Sequence, residues 1–584
     1  MRPSQIIVLA SPVFFALIAL ELGIGLWRER KGTGHNSYRW DDALSSIGLG
    51  MLSQASAVFT RLLRVGIYTA AWAGLSLVPQ DAAQLFWTQW YGWLLALVFY
   101  DLCYYWLHRL GHESAILWAA HVVHHQSQDY NLSTALRQTS SGALLGWVFY
   151  LPMALAGVPP VVFGTVALID LLYQFWVHTE QIGTLGWFDR WFCSPSNHRV
   201  HHAVNDAYLD KNYGGILVLW DRMFGSFQPE DPGNPCRYGT RKPLNSWDPL
   251  WANAEVYGAL LKDSWATRRW GDKLRVWWKP PGWRPPDLAA HAPPPATSGP
   301  IPRPFGPDPG SAARWFGVLH FLGLLLGATV FLWHADQMPG PVAFVWLAVL
   351  VAGLWALGGV LQGRLGVLQA LMLQAAALAM ATAATDLELL HRLFKPLTLL
   401  IALVWVAVAQ RQAAKAPDKV LLMALAASLA GDCFLMFPGY FIAGLLSFLV
   451  AHLFYIARLK AGVPWLPSHW ATACTLLYGT AMFTVLWLGG LPASLRLPVA
   501  AYVVCIALMA AQAIGRARVM RDRASALVGL GAALFVLSDS LLAFNRFVSP
   551  LQLGGLHASF WVLSSYYAAQ LLMVRGCLDA PTKR

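Results

Sequence analysis

Between residues 108 and 202 the chain reads His108-x3-His112, His121-x2-His124-His125, a lone His178, and His198-x2-His201-His202. Spacings of three and four set imidazoles on one helical face, a turn apart. The second and third clusters repeat one H-x-x-H-H pattern. A single iron or zinc ion takes three or four protein ligands. Nine imidazoles in three helical clusters therefore suffice for two ions. Neutral imidazole suits iron that must reach oxidising states, and vacant positions admit O2. The alternatives are a structural or hydrolytic zinc site and a set of unrelated surface or core histidines. His35, His291, His320 and His334 lie outside the clusters and are not expected to be ligands.

Outward from the clusters the chain is apolar. The segment 88–107 runs through Asp101-Leu102-Cys103-Tyr104-Tyr105 straight into His108. A membrane helix that ends in metal ligands puts the metal at the lipid surface, within reach of a lipid tail. The 584 residues are 57% hydrophobic and 12% charged, against about 25% charged in soluble proteins. Repeated apolar runs of membrane length complete the signature of a polytopic membrane protein. The net charge of +12 is not a nucleic-acid signal. Its basic residues gather in loops beside apolar segments, where the positive-inside rule and anionic lipids account for them. Seven cysteines without a C-x-x-C pair imply neither a disulfide scaffold nor a thiolate metal site. No G-x-G-x-x-G follows a strand, so electrons for O2 chemistry must come from a partner or a small reductant. The expectation is a membrane-bound di-iron oxygenase.

The run Ile6 to Trp27 precedes Arg28-Glu29-Arg30-Lys31 and reads as a retained helix with its C-terminal end in the cytoplasm. The stretch 43–79, interrupted by Arg61 and Arg64, reads as an amphipathic segment plus one span. Segments 142–156 and 158–177, split by Gly157-Val158-Pro159-Pro160, suit a hairpin dipping into the bilayer. Residues 179–278 are polar, basic and Trp-rich, a cytoplasmic region carrying the last cluster. Residues 279–312 are Pro-rich and cannot pack as helix or strand. Ten apolar segments follow between 314 and 575. Basic loops at Arg411 to Lys419, Arg458 to Lys460 and Arg516 to Arg523 alternate with loops lacking Lys or Arg, which assigns the basic ones to the cytoplasm. His391 to Lys395 breaks the pattern. It is basic on the outer side.

The stretches DLCYYWLHRLGHE (101–113), AAHVVHHQSQDYNLSTALRQ (119–138), QFWVHTEQIG (174–183) and SPSNHRVHHAVNDAYLDKNYGGILVLWDRMFGSF (194–227) resemble the fatty acid hydroxylase and sterol desaturase superfamily. Within it they are similar to the alkylglycerol monooxygenase branch. The resemblance covers about residues 90–230. It implies hydroxylation of the ether-linked carbon of a glyceryl ether, with collapse of the hemiacetal to a fatty aldehyde and glycerol or its phosphodiester. It also implies two iron ions, O2 as co-substrate and an external donor, tetrahydropterin or a redox protein. Glu113, beside His112, is a candidate to orient a ligand imidazole. Asp101, at membrane depth, needs a partner and serves either ligand support or structure.

The second half has no histidine cluster. Its apolar helices carry Lys395-Pro396, Ser428 with Gly431-Asp432, His452 with Tyr455, Ser538-Asp539-Ser540 with Asn545 and Arg546, and Tyr566 with Gln570. Ionisable groups at membrane depth are functional candidates, against a reading as polar glue between helices. FKPLTLL (394–400), SLAGDCFLMF (428–437), FLVAHLFYI (448–456), GAALFVLSDSLLAFNRF (531–547) and YYAAQLL (566–572) resemble the lysoplasmalogenase family of eight-helix membrane proteins. That resemblance implies cleavage of a lysoplasmalogen vinyl ether to an aldehyde and a glycerophospholipid. Paired carboxylates suit the chemistry: one protonates the vinyl carbon, and the other stabilises the cation or activates water. Asp432 and Asp539 are the candidates. Lys395 would hold one carboxylate ionised or bind the lipid phosphate, and His452 lies deeper.

The chain thus reads as an all-α polytopic membrane protein. Residues 1–278 form a histidine-box di-iron hydroxylase domain, 279–312 a linker, 313–364 two extra transmembrane helices, and 365–578 an eight-helix transmembrane domain. The function expected is bifunctional ether-lipid breakdown on membrane lipid substrates, with the histidine site facing the cytoplasm. The alternative is a sterol, carotenoid or fatty-acyl hydroxylase carrying a C-terminal lipid-binding or transport module.

Overall fold

The computed structural model describes residues 3–289, 304–385, 387–414 and 416–579. His291, Lys415, the end of the chain and the middle of the Pro-rich stretch lie outside them. Among the described residues the architecture is helical, apart from a pair of two-residue strands, Gln552–Leu553 with Leu556–His557. The turn between them is Gly554-Gly555 at φ 59° and 74°, which only glycine adopts without strain. The chain forms two compact units, residues 1–337 with 357–364, and residues 338–356 with 365–584. Ten helices among the described residues are long and apolar enough to cross a membrane.

In the first unit, helices α1 (Pro3–Lys31), α2 (Trp40–Arg61) and α3 (Trp90–Glu113) frame the histidine region. After α2 the backbone widens into a π-turn over Leu62–Gly66 and continues as a short helix, Ile67–Leu75. The second histidine cluster sits at α4 (Val122–His125). The stretch 142–155 breaks into short turns, reverses at Gly157 (φ 78°) and returns as α5 (Pro160–Trp176). Indoles hold this reversal: Trp72 donates to the Gly157 carbonyl at 3.1 Å and Trp87 to that of Ala156 at 3.0 Å. The third cluster occupies α6 (Pro195–His202), capped by the Ser194 hydroxyl with Pro195 at its first position, a favoured helix start. Helix α7 (Ser311–His334) packs against α1 and α2.

The ten apolar segments expected after residue 312 are all helical. Beyond α7 they are α8 (Gly340–Leu361), α9 (Val367–Ala384), α10 (Glu388–Gln412), α11 (Lys419–Leu435), α12 (Phe441–Leu459), α13 (His469–Leu488), α14 (Ala493–Met520), α15 (Arg523–Phe547) and α16 (Ala558–Asp579). Of the eight from α9 onward, α11 and α16 fall outside the group with spanning length and apolarity. Helix α11 has only 17 residues and α16 carries several Ser, Tyr and Gln. Small residues let these helices approach closely, as membrane packing requires. A Cβ on Gly431 of α11 would meet the Phe448 ring of α12 at 2.6 Å. The core of this unit gathers Leu399, Val406, Leu425, Met509, Phe535 and Met573.

Candidate metal centre and carboxylate cavity

The nine clustered histidines converge in two groups. His108, His112, His121, His125 and His201 form one, and His124, His178, His198 and His202 the other. Within each group the ligating atoms lie within 4.8 Å of one another. The sequence clusters do not map one to one onto the groups. His121 and His125, four residues apart, share a face, whereas His124 between them turns to the other group. Likewise His198 and His202 face the second group while His201 faces the first. Each H-x-x-H-H motif therefore serves both.

Backbone carbonyls fix the imidazoles. The Nδ1 atoms bond to carbonyl oxygens of Tyr213 (His108, 2.8 Å), Arg137 (His124, 2.9 Å), Gln174 (His178, 2.7 Å) and Lys211 (His201, 3.0 Å). A carbonyl only accepts, so each of these Nδ1 atoms carries the proton and each Nε2 presents a lone pair. Yet the Nε2 atoms of His124 and His178 face each other at 3.1 Å. Two lone pairs at that distance repel. One ring would have to become an imidazolium, but burial above all pushes His124 down to about 4 and His178 well below its ordinary value. A cation between the rings resolves the conflict. The Nε2 atoms of His112, His201 and His202 point the same way: they are buried with no hydrogen-bond partner among the described residues. These donor sets contain no carboxylate or thiolate, which suits iron or zinc.

Acidic side chains hold the loops that deliver these carbonyls. Asp101 accepts from the Ile216 and Leu217 amides at 2.7 and 3.0 Å and from the Trp220 indole at 2.8 Å. Asp221 accepts from the Tyr213 and Gly214 amides at 2.7 and 2.8 Å. The backbone at Gly215 runs against two carboxylates: a Cβ there would meet Asp170 Oδ1 at 2.8 Å and Asp101 Oδ1 at 2.9 Å. Arg199, inside the third cluster, pairs with Glu230 at 2.7 Å and donates to the Thr179 and Ile182 carbonyls. Glu113 stands elsewhere than the sequence suggested. Its carboxylate pairs with Arg109 at 2.9 Å, one turn back on α3, as i, i+4 partners on a helix face do. The carboxylate facing His112 Nδ1 is that of Asp210, at 3.4 Å. Its backbone is left-handed (φ 57°), a loop feature that spacing does not announce. Among the histidines set aside, His35 lies 2.9 Å from Glu180 and His320 stacks on Phe316.

In the second unit, Lys395, Asp432 and Asp539 line one cavity of about 540 Å³, with Tyr502, Ser538 and Tyr566. Lys395 Nζ is 3.7 Å from Asp432 Oδ1, and the Tyr566 hydroxyl donates to Asp432 Oδ2 at 2.8 Å. The Tyr502 hydroxyl bonds to Asp539 and lies 3.0 Å from His452 Nε2. His452 belongs to this cluster, with its Nε2 3.9 Å from Asp539 Oδ2. His452 Nδ1 is buried without a partner among the described residues. Tyr455 and Gln570 bond to each other at 2.7 Å, and Ser428 bonds back to its own helix. Both act as packing polar groups. Tyr502 was missed, since a tyrosine in an apolar helix carries no spacing signal.

The profile of the fatty acid hydroxylase family matches residues 93–226, and that of the YhhN family residues 390–577. Human alkylglycerol monooxygenase is 40% identical over 278 residues, 47% of this chain and 59% of that protein. The Xenopus tropicalis alkylglycerol monooxygenase is 36% identical over 339 residues, 58% of this chain and 72% of that protein. Human lysoplasmalogenase TMEM86B is 30% identical over 161 residues, 28% of this chain and 64% of that protein. The chain thus spans about three fifths of the human relatives it matches. No solved structure matches it. The nine-histidine region and the 72% coverage of the Xenopus protein place it together: this chain belongs to the alkylglycerol monooxygenase family.

Proposed function

We propose that the first unit oxygenates the ether-linked carbon of alkylglycerol lipids. The opposition of the His124 and His178 lone pairs at 3.1 Å calls for a cation, and the similarity to alkylglycerol monooxygenases supports the substrate. In this reading His108, His112, His121, His125 and His201 hold one iron and His124, His178, His198 and His202 the other. Bound iron supplies O2 activation, with two electrons from an external reductant. The chain's own residues fix the imidazoles through their Nδ1–H groups, keep the donors buried and neutral, and hold the loop 210–221 over the site. One oxygen atom of O2 enters the C–H bond next to the ether, and the other leaves as water. The hemiacetal then releases a fatty aldehyde and the glycerol moiety. Basic loops favour a cytoplasmic placement of this site.

The second unit, in the same reading, hydrolyses the vinyl ether of lysoplasmalogens. The shared cavity of Asp432 and Asp539 supports it. One of the two carboxyl groups delivers the proton to the vinyl carbon, and the other stabilises the oxocarbenium ion or activates water, with Lys395 beside Asp432 and Tyr502 and His452 beside Asp539. The domain division follows: residues 1–278 with the oxygenase, 365–578 with the hydrolase. The test is aldehyde release by the purified protein. Alkylglycerol should require O2 and a reductant. Alkenyl-lysophospholipid should require neither. Release from alkylglycerol without O2, or none from either lipid, refutes the scheme.

A further inference from the structure

We infer that Arg546 forms a phosphate-binding subsite at one end of the carboxylate cavity. The proposal rests on the hydrolase reading of that cavity and adds the feature of the substrate it recognises, an anionic phosphate diester head group. Two cations line the cavity, Lys395 and Arg546. Lys395 is engaged by Asp432 at 3.7 Å. Arg546 has no carboxylate partner among the described residues. Its guanidinium lies over the Phe441 ring at 4.1 Å and near that of Phe547 at 5.8 Å. Stacking orients the planar fork and leaves its edge free for two parallel hydrogen bonds, the geometry a phosphate accepts.

The order of groups along the cavity matches such a lipid. Helices α14 and α15 are joined by a short turn and run antiparallel, and Tyr502 meets Asp539. From Asp539 to Arg546 is seven residues, about 10 Å along α15. In an alkenyl-lysophospholipid the phosphorus and the vinyl carbons are six or seven bonds apart, about 8–9 Å when extended. The lining is apolar on both sides of the carboxylates, and away from Arg546 it continues through Ile506, Ala510 and Ile514 with no further cation. From Tyr502 to Ile514 is about 18 Å, enough for an extended hydrocarbon tail. Phosphate at Arg546, the vinyl ether at Asp432 and Asp539, and the tail toward Ile514 fill the cavity in one orientation.

The experiment compares alkenylglycerophosphocholine with alkenylglycerol, which lacks the phosphate, on the full-length protein and on Arg546→Met. A charge-assisted contact of this kind corresponds to about a 10- to 100-fold preference. The ratio of kcat/KM for the two substrates should fall by that factor in the variant, mainly through KM of the phospholipid. An unchanged ratio overturns the subsite and leaves the hydrolase reading standing. Hydrolysis of neither lipid by the wild-type protein overturns both. A second measurement needs only the wild-type chain. Glycerophosphocholine should compete with alkenylglycerol, and inorganic phosphate at equal concentration should compete far less, because it lacks the glycerol arm. If inorganic phosphate competes equally, the site is a general anion site and the head-group assignment falls.

Discussion

Asp101→Asn tests how the loop behind the histidine groups is held. Asp101 Oδ1 accepts one buried amide, and Oδ2 accepts a second amide and the Trp220 indole. Asparagine has one acceptor oxygen. Placed at the Oδ2 position it keeps two of the three bonds, and its amide group then faces the Ile216 N–H, donor against donor. Leaving that buried donor unsatisfied costs about 1–3 kcal/mol, and losing the charge on the other two bonds about 1 kcal/mol each. The loss comes to about 3–5 kcal/mol, a large share of a typical folding free energy of about 5–15 kcal/mol. The loop that loosens is the one whose Tyr213 carbonyl holds His108 Nδ1 at 2.8 Å. Iron affinity should therefore fall about 10- to 100-fold, as loss of ligand support usually does. Thermal unfolding and iron content per purified chain read both effects. A variant with wild-type melting temperature and wild-type iron would refute the argument.

His124→Ala and His201→Ala remove one donor from different groups. Each should lower iron from about two per chain and abolish oxygenation, with zinc replacing iron in overexpressed samples; full activity in either sinks the ligand assignment. His201→Ala should spare vinyl-ether hydrolysis and Asp432→Asn should spare O2-dependent cleavage; loss of both activities in each variant would show a single site. Metal-free protein should lose stability as pH falls below about 6.5, the range of an unfolded imidazole. Burial holds His121, His125, His198 and His202 well below that value and His124 at about 4, so the unfolded chain binds more protons there. A melting temperature of the stripped protein that is flat between pH 5 and 8 contradicts this.

Histidine spacing exposed the first site because ligands must lie a turn apart on short helices. Spacing could not show that His124 and His201 turn away from their nearest neighbours, since that depends on where α4 and α6 meet. The carbonyls that orient the rings belong to Tyr213, Arg137, Gln174 and Lys211, and a backbone oxygen leaves no mark in a sequence. Glu113 drew attention by adjacency, whereas Asp210 reaches His112 through a left-handed loop residue. In the second unit Lys395, Asp432 and Asp539 stood out because charge is costly at membrane depth. Tyr502 did not, because tyrosine is ordinary there. Helix positions after residue 312 were legible from apolar length alone. The short turns at 142–155 were not, because their apolarity resembles that of a span.

Helix α6 is only eight residues long, and it carries neighbours, His201 and His202, that belong to different histidine groups. A rigid rod clamped at both of its faces cannot yield at one without shifting at the other. The two centres are thereby geared to one another. Displacing either imidazole moves the backbone that carries the other, so a change at His201 is felt at His202 and a variant aimed at one group also disturbs its neighbour.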